Sequence, residues 1–185
     1  MPDTSLSIGP ARFLRTVIIG LAVTMGLVLA VGAGQGRSPS AVLASVLHLK
    51  GHLHAPNFGP LATASIQIQI HVAAVTVALA VGIALMLGLK GNTAHRALGW
   101  TWVVAMATAA ISSLFIHRAN AAGFSFLHLF AGWTLVALPM GVFAARKHKV
   151  RLHGRTMTGL FVGGLLIAGA FAFMPGRLMW QIVFG

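Results

Sequence analysis

Five stretches of almost unbroken apolar residues run along the chain, at about Phe13–Ala33, Ile66–Leu89, Leu98–Ile116, Phe126–Ala145 and Met157–Met174. At 1.5 Å rise per residue, each is long enough as a helix to cross about 30 Å of hydrocarbon, with some tilt or shortening. The pattern predicts an all-α integral membrane protein with five transmembrane helices. Arg12 and Arg15 precede the first stretch and small residues follow it, as in a signal sequence. Its roughly 18 apolar residues exceed the usual signal core, so a retained helix is the reading adopted.

The polar residues between the stretches set the orientation. One set of connections holds Arg12, Arg15, Lys90, Arg96, Arg146, Lys147, Lys149, Arg151 and Arg155; the other holds Arg37, Lys50, Arg118 and Arg177. Basic residues stay on the cytoplasmic side, which predicts a protein of the inner-membrane type with its N-terminus inside and its C-terminus outside. The longest connection, Gly34 to Ser65, falls outside. Within it Ala41–Leu53 has the pattern of an interfacial helix, ended by Pro56, Gly59 and Pro60. Two regions follow: 1–65, a transmembrane helix and an outer loop, and 66–185, a four-helix membrane domain that carries histidines.

That domain contains an internal echo. His95-Arg-Ala-Leu-Gly99-Trp100-Thr101 and His128-Leu-Phe-Ala-Gly132-Trp133-Thr134 match in His, Gly, Trp and Thr, with Val103 and Val136 at one further shared offset. His71 and His128 lie 57 residues apart, and His95 and His153 lie 58 apart, so the last four helices read as a bundle of two repeated hairpins. His71 and His128 fall near the outer face and His95 and His153 near the inner one, the two levels separated by roughly 20–25 Å. Ala74, Ala78 and Gly82 share a stripe with His71, and Gly99 and Gly132 each follow a histidine by four residues. Such small residues leave room for a flat group or for a neighbouring helix.

Composition narrows the chemistry. The 185 residues are 57% hydrophobic and 8% charged, with a formal charge of +12. The cations sit in short gaps between apolar runs rather than on a polar face, so nucleic acid is not an expected partner. With no cysteine, thiolate chemistry, disulfides, iron–sulfur clusters and covalently attached haem are excluded. The one acid, Asp3, leaves no carboxylate pair or hard-cation cage. Lys and Arg side chains must then find lipid phosphates, a partner subunit or an anionic cofactor.

An imidazole within a membrane costs free energy unless it is bonded or ligated. Two pairs without acidic partners predict two b-type haems, His71 with His128 and His95 with His153 as axial ligands of the iron. The haem propionates would be neutralised by Arg96 and Arg155 inside and by Arg118 or Arg177 outside. The alternative is that the same histidines hydrogen-bond between helices.

From His71 to Arg177 the chain resembles the bacterial membrane-protein family known as domain of unknown function 2306. The resemblance is carried by His95-Arg96 with Leu98-Gly99, the Ser125-Phe-Leu-His128-Leu run, Arg151-Leu-His153 with Met157, and Met174-Pro175-Gly176-Arg177. That family implies a membrane protein and no activity. The arrangement also resembles, in architecture only, the two-haem transmembrane cytochromes b that accept electrons from ascorbate. That likeness implies the same pairing of alternate helices.

Other histidines take plainer readings. His48 and His52, one helical turn apart, with His54 nearby, have metal-ligand spacing but no carboxylate, and a lid or interfacial role is preferred. His117 beside Arg118 reads as an interfacial anchor, as a substitute ligand for His71 or His128, or as a propionate or substrate contact, and His148 among cations as solvated. Trp100, Trp102 and Trp133, near helix starts, read as an aromatic belt, and Pro139 as a kink. The function expected is a dihaem membrane electron-transfer protein, a membrane oxidoreductase by class, with lipids, a quinone or small redox substrate and a redox protein as partners. An accessory or assembly subunit and, less favoured, a small transporter are the rivals.

Overall fold

The computed structural model describes residues 10–34, 36, 38–41, 54–88, 90–116, 127–173 and 177–184. Among these residues every regular element is helical. The helices are α1 (Pro10–Gly34), α2 (Gly59–Ala62), α3 (Ile66–Leu87), α4 (Thr93–Leu114), α5 (Leu127–Arg146), α6 (Val150–Ala172) and α7 (Leu178–Phe184). The four from α3 to α6 are long and apolar enough to cross a membrane. Polar backbone groups find no water in hydrocarbon, so a continuous helix, which bonds its own amides, is the form these runs take.

Short turns dictate the order. Gly91, at φ 80°, supplies the left-handed residue between α3 and α4. The Asn92 side chain then caps α4 by accepting the amide of His95 at 2.7 Å. At the other tight turn His148 takes φ 54°. The amides of Lys147, His148 and Lys149 there satisfy the carbonyls of Phe143, Ala145 and Ala144. Turns this short force antiparallel neighbours. Helix α3 packs on α4, α4 on α5 and α5 on α6, and the middle of α6 returns against α3. Thus α4 and α6 face one another across a diagonal.

The core lies where small residues let large ones in. Ala78, Trp102, Met106, Leu160 and Phe161 are buried together with Ala137 and Leu138. Gly82 is the closest approach: a Cβ there would stand 2.6 Å from Phe161 Cε2 and 2.9 Å from Trp102 Nε1. Phe161 also opens a π-helical stretch, Phe161–Ile167, inside α6, and α1 packs against that stretch, with Gly20 next to Val162.

Several boundaries differ from the sequence reading. Helix α4 begins at Thr93 rather than Leu98, and α6 at Val150 rather than Met157. In both cases a polar first turn precedes the apolar run, and hydropathy discounts it. The C-terminal helix α7 was not anticipated. It packs on α2 and α6, and the amides of His54 and Asn57 bond the carbonyls of Val183 and Ile182. Trp102, expected in an interfacial belt, is 3% exposed; the absence of a side chain at Gly82 admits its indole to the core. Trp100 and Trp133 are exposed, as a belt requires. Of the interfacial helix expected at Ala41–Leu53, all but Ala41 lies outside the described residues, as do His48, His52, His117 and Arg118.

Candidate functional site

Each of the two turns delivers a histidine to the same end of the bundle. His95 occupies the first turn of α4, fixed by the Asn92 cap, and His153 the first turn of α6. Their rings meet across the diagonal with centroids 6.4 Å apart and planes at 86°. Both residues are half-buried.

Hydrogen bonding fixes which nitrogen is available. His153 Nδ1 lies 2.9 Å from the carbonyl oxygen of Gly141. A carbonyl only accepts, so Nδ1 carries the proton and donates it, and Nε2 keeps its lone pair. Gly141 makes this approach possible because any side chain there would meet Met157 and Thr156 of α6. His95 Nδ1 is buried and has no hydrogen-bond partner among the described residues. One turn along, Gly99 faces open space, with no atom within 4 Å of where a Cβ would lie. Its absent side chain is therefore not explained by packing against another helix.

The same end is strongly basic. Arg96, Arg146, Lys147, Lys149, Arg151 and Arg155 are exposed around it. Lys90 folds back on α3, its Nζ donating to the carbonyls of Leu85 and Met86. Burial there pushes the Lys90 ammonium below its ordinary pKa.

At the opposite end His71, on α3, points into α4. Its Nδ1 donates to the Ala109 carbonyl at 2.9 Å, with Ser112 Oγ at 3.2 Å, so again Nε2 is left as the basic nitrogen. Ser112 is held in turn by the carbonyls of Thr108 and Ala109. His128 stands half-buried in the first turn of α5, at this end, and Gly132 one turn later faces open space. Arg177 is exposed beside α7. His54 donates from Nδ1 to the Ala55 carbonyl and buries an Nε2 that has no partner among the described residues.

The structure therefore brings His95 and His153 together and sets His71 and His128 at the other end. Sequence reasoning missed the carbonyls of Gly141 and Ala109 and the hydroxyl of Ser112, because contacts between helices leave no local pattern. Among the described residues no three His, Cys, Asp or Glu side chains gather, so a closed cage of the structural zinc kind is not formed there. Two imidazoles on facing helices can instead share one metal ion that takes its other ligands from elsewhere.

No curated protein and no solved structure matches the chain. A family profile, described as predicted membrane protein (DUF2306), matches residues 68–181, which include all four of these histidines and nearly all of the helices that carry them. The chain belongs to that family of predicted membrane proteins of unknown function.

Proposed function

We propose that this chain is a dihaem b-type membrane protein that passes electrons across the bilayer, with five crossings that include α1. His95 and His153 would hold one iron, and His71 and His128 the second. The observation that carries the reading is the His95–His153 pair. Their ring centroids stand 6.4 Å apart with planes at 86°, which leaves room for one metal ion that both imidazoles would hold.

Three further features fit a haem. His153 and His71 are anchored through Nδ1 by backbone carbonyls, the outer support expected of a ligating histidine. Gly99 and Gly132 keep open space one turn beyond His95 and His128. Arg96 and Arg155, exposed at the His95–His153 end, suit the propionates there, and Arg177 suits those at the other end. When bound, haem supplies one-electron chemistry at its iron. The protein's part is to fix the ligands, keep water from the iron and surround it with positive charge, which favours the reduced state. A quinone or another small redox substrate, and a redox protein, are the proposed partners, and an inner membrane with the basic end inside is the proposed location.

The test is a reduced-minus-oxidised spectrum of the purified chain from haem-replete cells, with haem measured per protein. Two haems are expected. His95→Ala and His153→Ala should each lose the same one, and His71→Ala and His128→Ala the other. A colourless protein, or equal haem in all four variants, would overturn the assignment. The inter-helix bonds of His71 and His153 favour the second reading, an accessory subunit in which histidines only join helices. On that reading the variants lose stability and there is no haem to lose.

A further inference from the structure

On the lipid side of the bundle, α4 and α5 enclose a groove of about 260 Å³. Its floor is Val103, Leu138 and Val142, which are buried or half-buried, and its rims are the exposed side chains of Trp100 and Phe143. Arg146, the last residue of α5, closes the end where the helix leaves the membrane. From Leu138 to Arg146 the groove follows α5 for about 12 Å.

We propose that this groove binds an anionic phospholipid, with the phosphate on Arg146 and an acyl chain along the floor. Charge complementarity selects this occupant. Against thirteen Lys and Arg the chain has one acid, Asp3, so no carboxylate of α3 to α6 can neutralise Arg146. Its guanidinium carbon lies 6.0 Å from the centroid of the Trp100 ring. A contact at that range holds the side chain over the groove mouth and leaves its planar fork of donors for a phosphate. The carbonyls of Phe143, Ala144 and Ala145, which would repel a headgroup at a bare helix C-terminus, are taken by the amides of residues 147–149. A zwitterionic phospholipid would match the floor and offer the same phosphate, but would bring its own cation among the exposed Arg and Lys side chains of this end. The site is independent of the histidines and of any haem.

The experiment adds dioleoylphosphatidylglycerol to the full chain in neutral detergent and measures the lipid retained by native mass spectrometry. Dioleoylphosphatidylcholine and inorganic phosphate serve as competitors. The wild type should keep phosphatidylglycerol against a molar excess of either. Arg146→Gln removes a charge-assisted hydrogen bond and should weaken retention roughly tenfold. Lys147→Gln removes the same charge from the adjoining turn and should change little, and Val142→Trp, which fills the floor, should displace the lipid with Arg146 intact. Equal losses in Arg146→Gln and Lys147→Gln would reduce the effect to diffuse surface charge. Displacement by phosphatidylcholine, or by inorganic phosphate alone, would equally overturn the proposal.

Discussion

Gly82→Ala is the sharpest test of how the bundle is packed. The new methyl would lie 2.6 and 2.7 Å from two ring carbons of Phe161 and 2.9 Å from the Trp102 indole nitrogen. Neither ring can yield easily: Phe161 is 1% and Trp102 3% exposed, and both sit in the central cluster. Overpacking of this kind costs about 1–3 kcal/mol, and contact with two rigid rings at once places it near the upper end. Replacing a helical glycine by alanine returns at most about 1 kcal/mol. The expected net effect is a loss of about 2 kcal/mol.

Gly159→Ala provides the control, since Gly159 is exposed and has nothing within 4 Å of its absent Cβ. That variant should be neutral or gain up to about 1 kcal/mol. Unfolding both in mixed micelles of increasing denaturing detergent would separate them by two to three kcal/mol, roughly the sum of those two effects. Adding Phe161→Leu to Gly82→Ala should recover part of the loss, because the two residues touch and their effects are coupled. A Gly82→Ala protein as stable as the Gly159→Ala protein would refute this packing.

Other perturbations read different parts of the molecule. Asn92→Ala removes the cap on the His95 amide and should destabilise by about 1 kcal/mol in the same assay; an unchanged midpoint would mean that the cap contributes nothing. Gly99→Ala fills the space beyond His95 without meeting protein, so on the haem reading it should lower haem content at that end while leaving the stability of the haem-free chain intact, and normal haem content would count against that space being used. The Lys90 amine is depressed by burial, so the folded state binds fewer protons than the unfolded one above neutrality. Stability should therefore rise as the pH climbs through the depressed pKa towards the ordinary lysine value, and Lys90→Gln should flatten that rise in an unfolding series between pH 8 and about 10.5.

Hydropathy made the long helices legible because a crossing segment must be apolar throughout. The runs drawn at Ile66–Leu89 and Phe126–Ala145 fall on α3 and α5 with small errors at their ends. Spacing paired His95 with His153, and both stand in the first turns of α4 and α6, helices that follow short turns at one end of the bundle. What stayed hidden depends on contacts between helices or on polar first turns. Asn92 lies in the gap between two apolar runs, yet it caps α4, which begins at Thr93, five residues before the apolar run drawn from Leu98. Trp102 looked interfacial because its position along the helix is near the start; its direction is set by Gly82 on another helix. The π stretch of Phe161–Ile167 has no local signature beyond the adjoining Gly163 and Gly164, and Gly164 is where Met106 and Thr134 press on α6.

The scarcity of acids ties the two proposals together and also separates them. Cations at one end of a bundle need counter-charge from outside the chain, and two different sources are assigned to different arginines. Arg96 and Arg155 belong to helices that carry His95 and His153, whereas Arg146 ends the helix between them and leans towards Trp100. If that division is physical, Arg96→Gln should lower haem retention or shift the midpoint potential of one haem downward, because positive charge near iron favours its reduced state, and leave phosphatidylglycerol retention unchanged. Arg146→Gln should do the converse. Measuring both properties on both variants distinguishes specific pairing from a shared field: a uniform positive field would move lipid retention and haem properties together in each variant, whereas pairing moves one and spares the other.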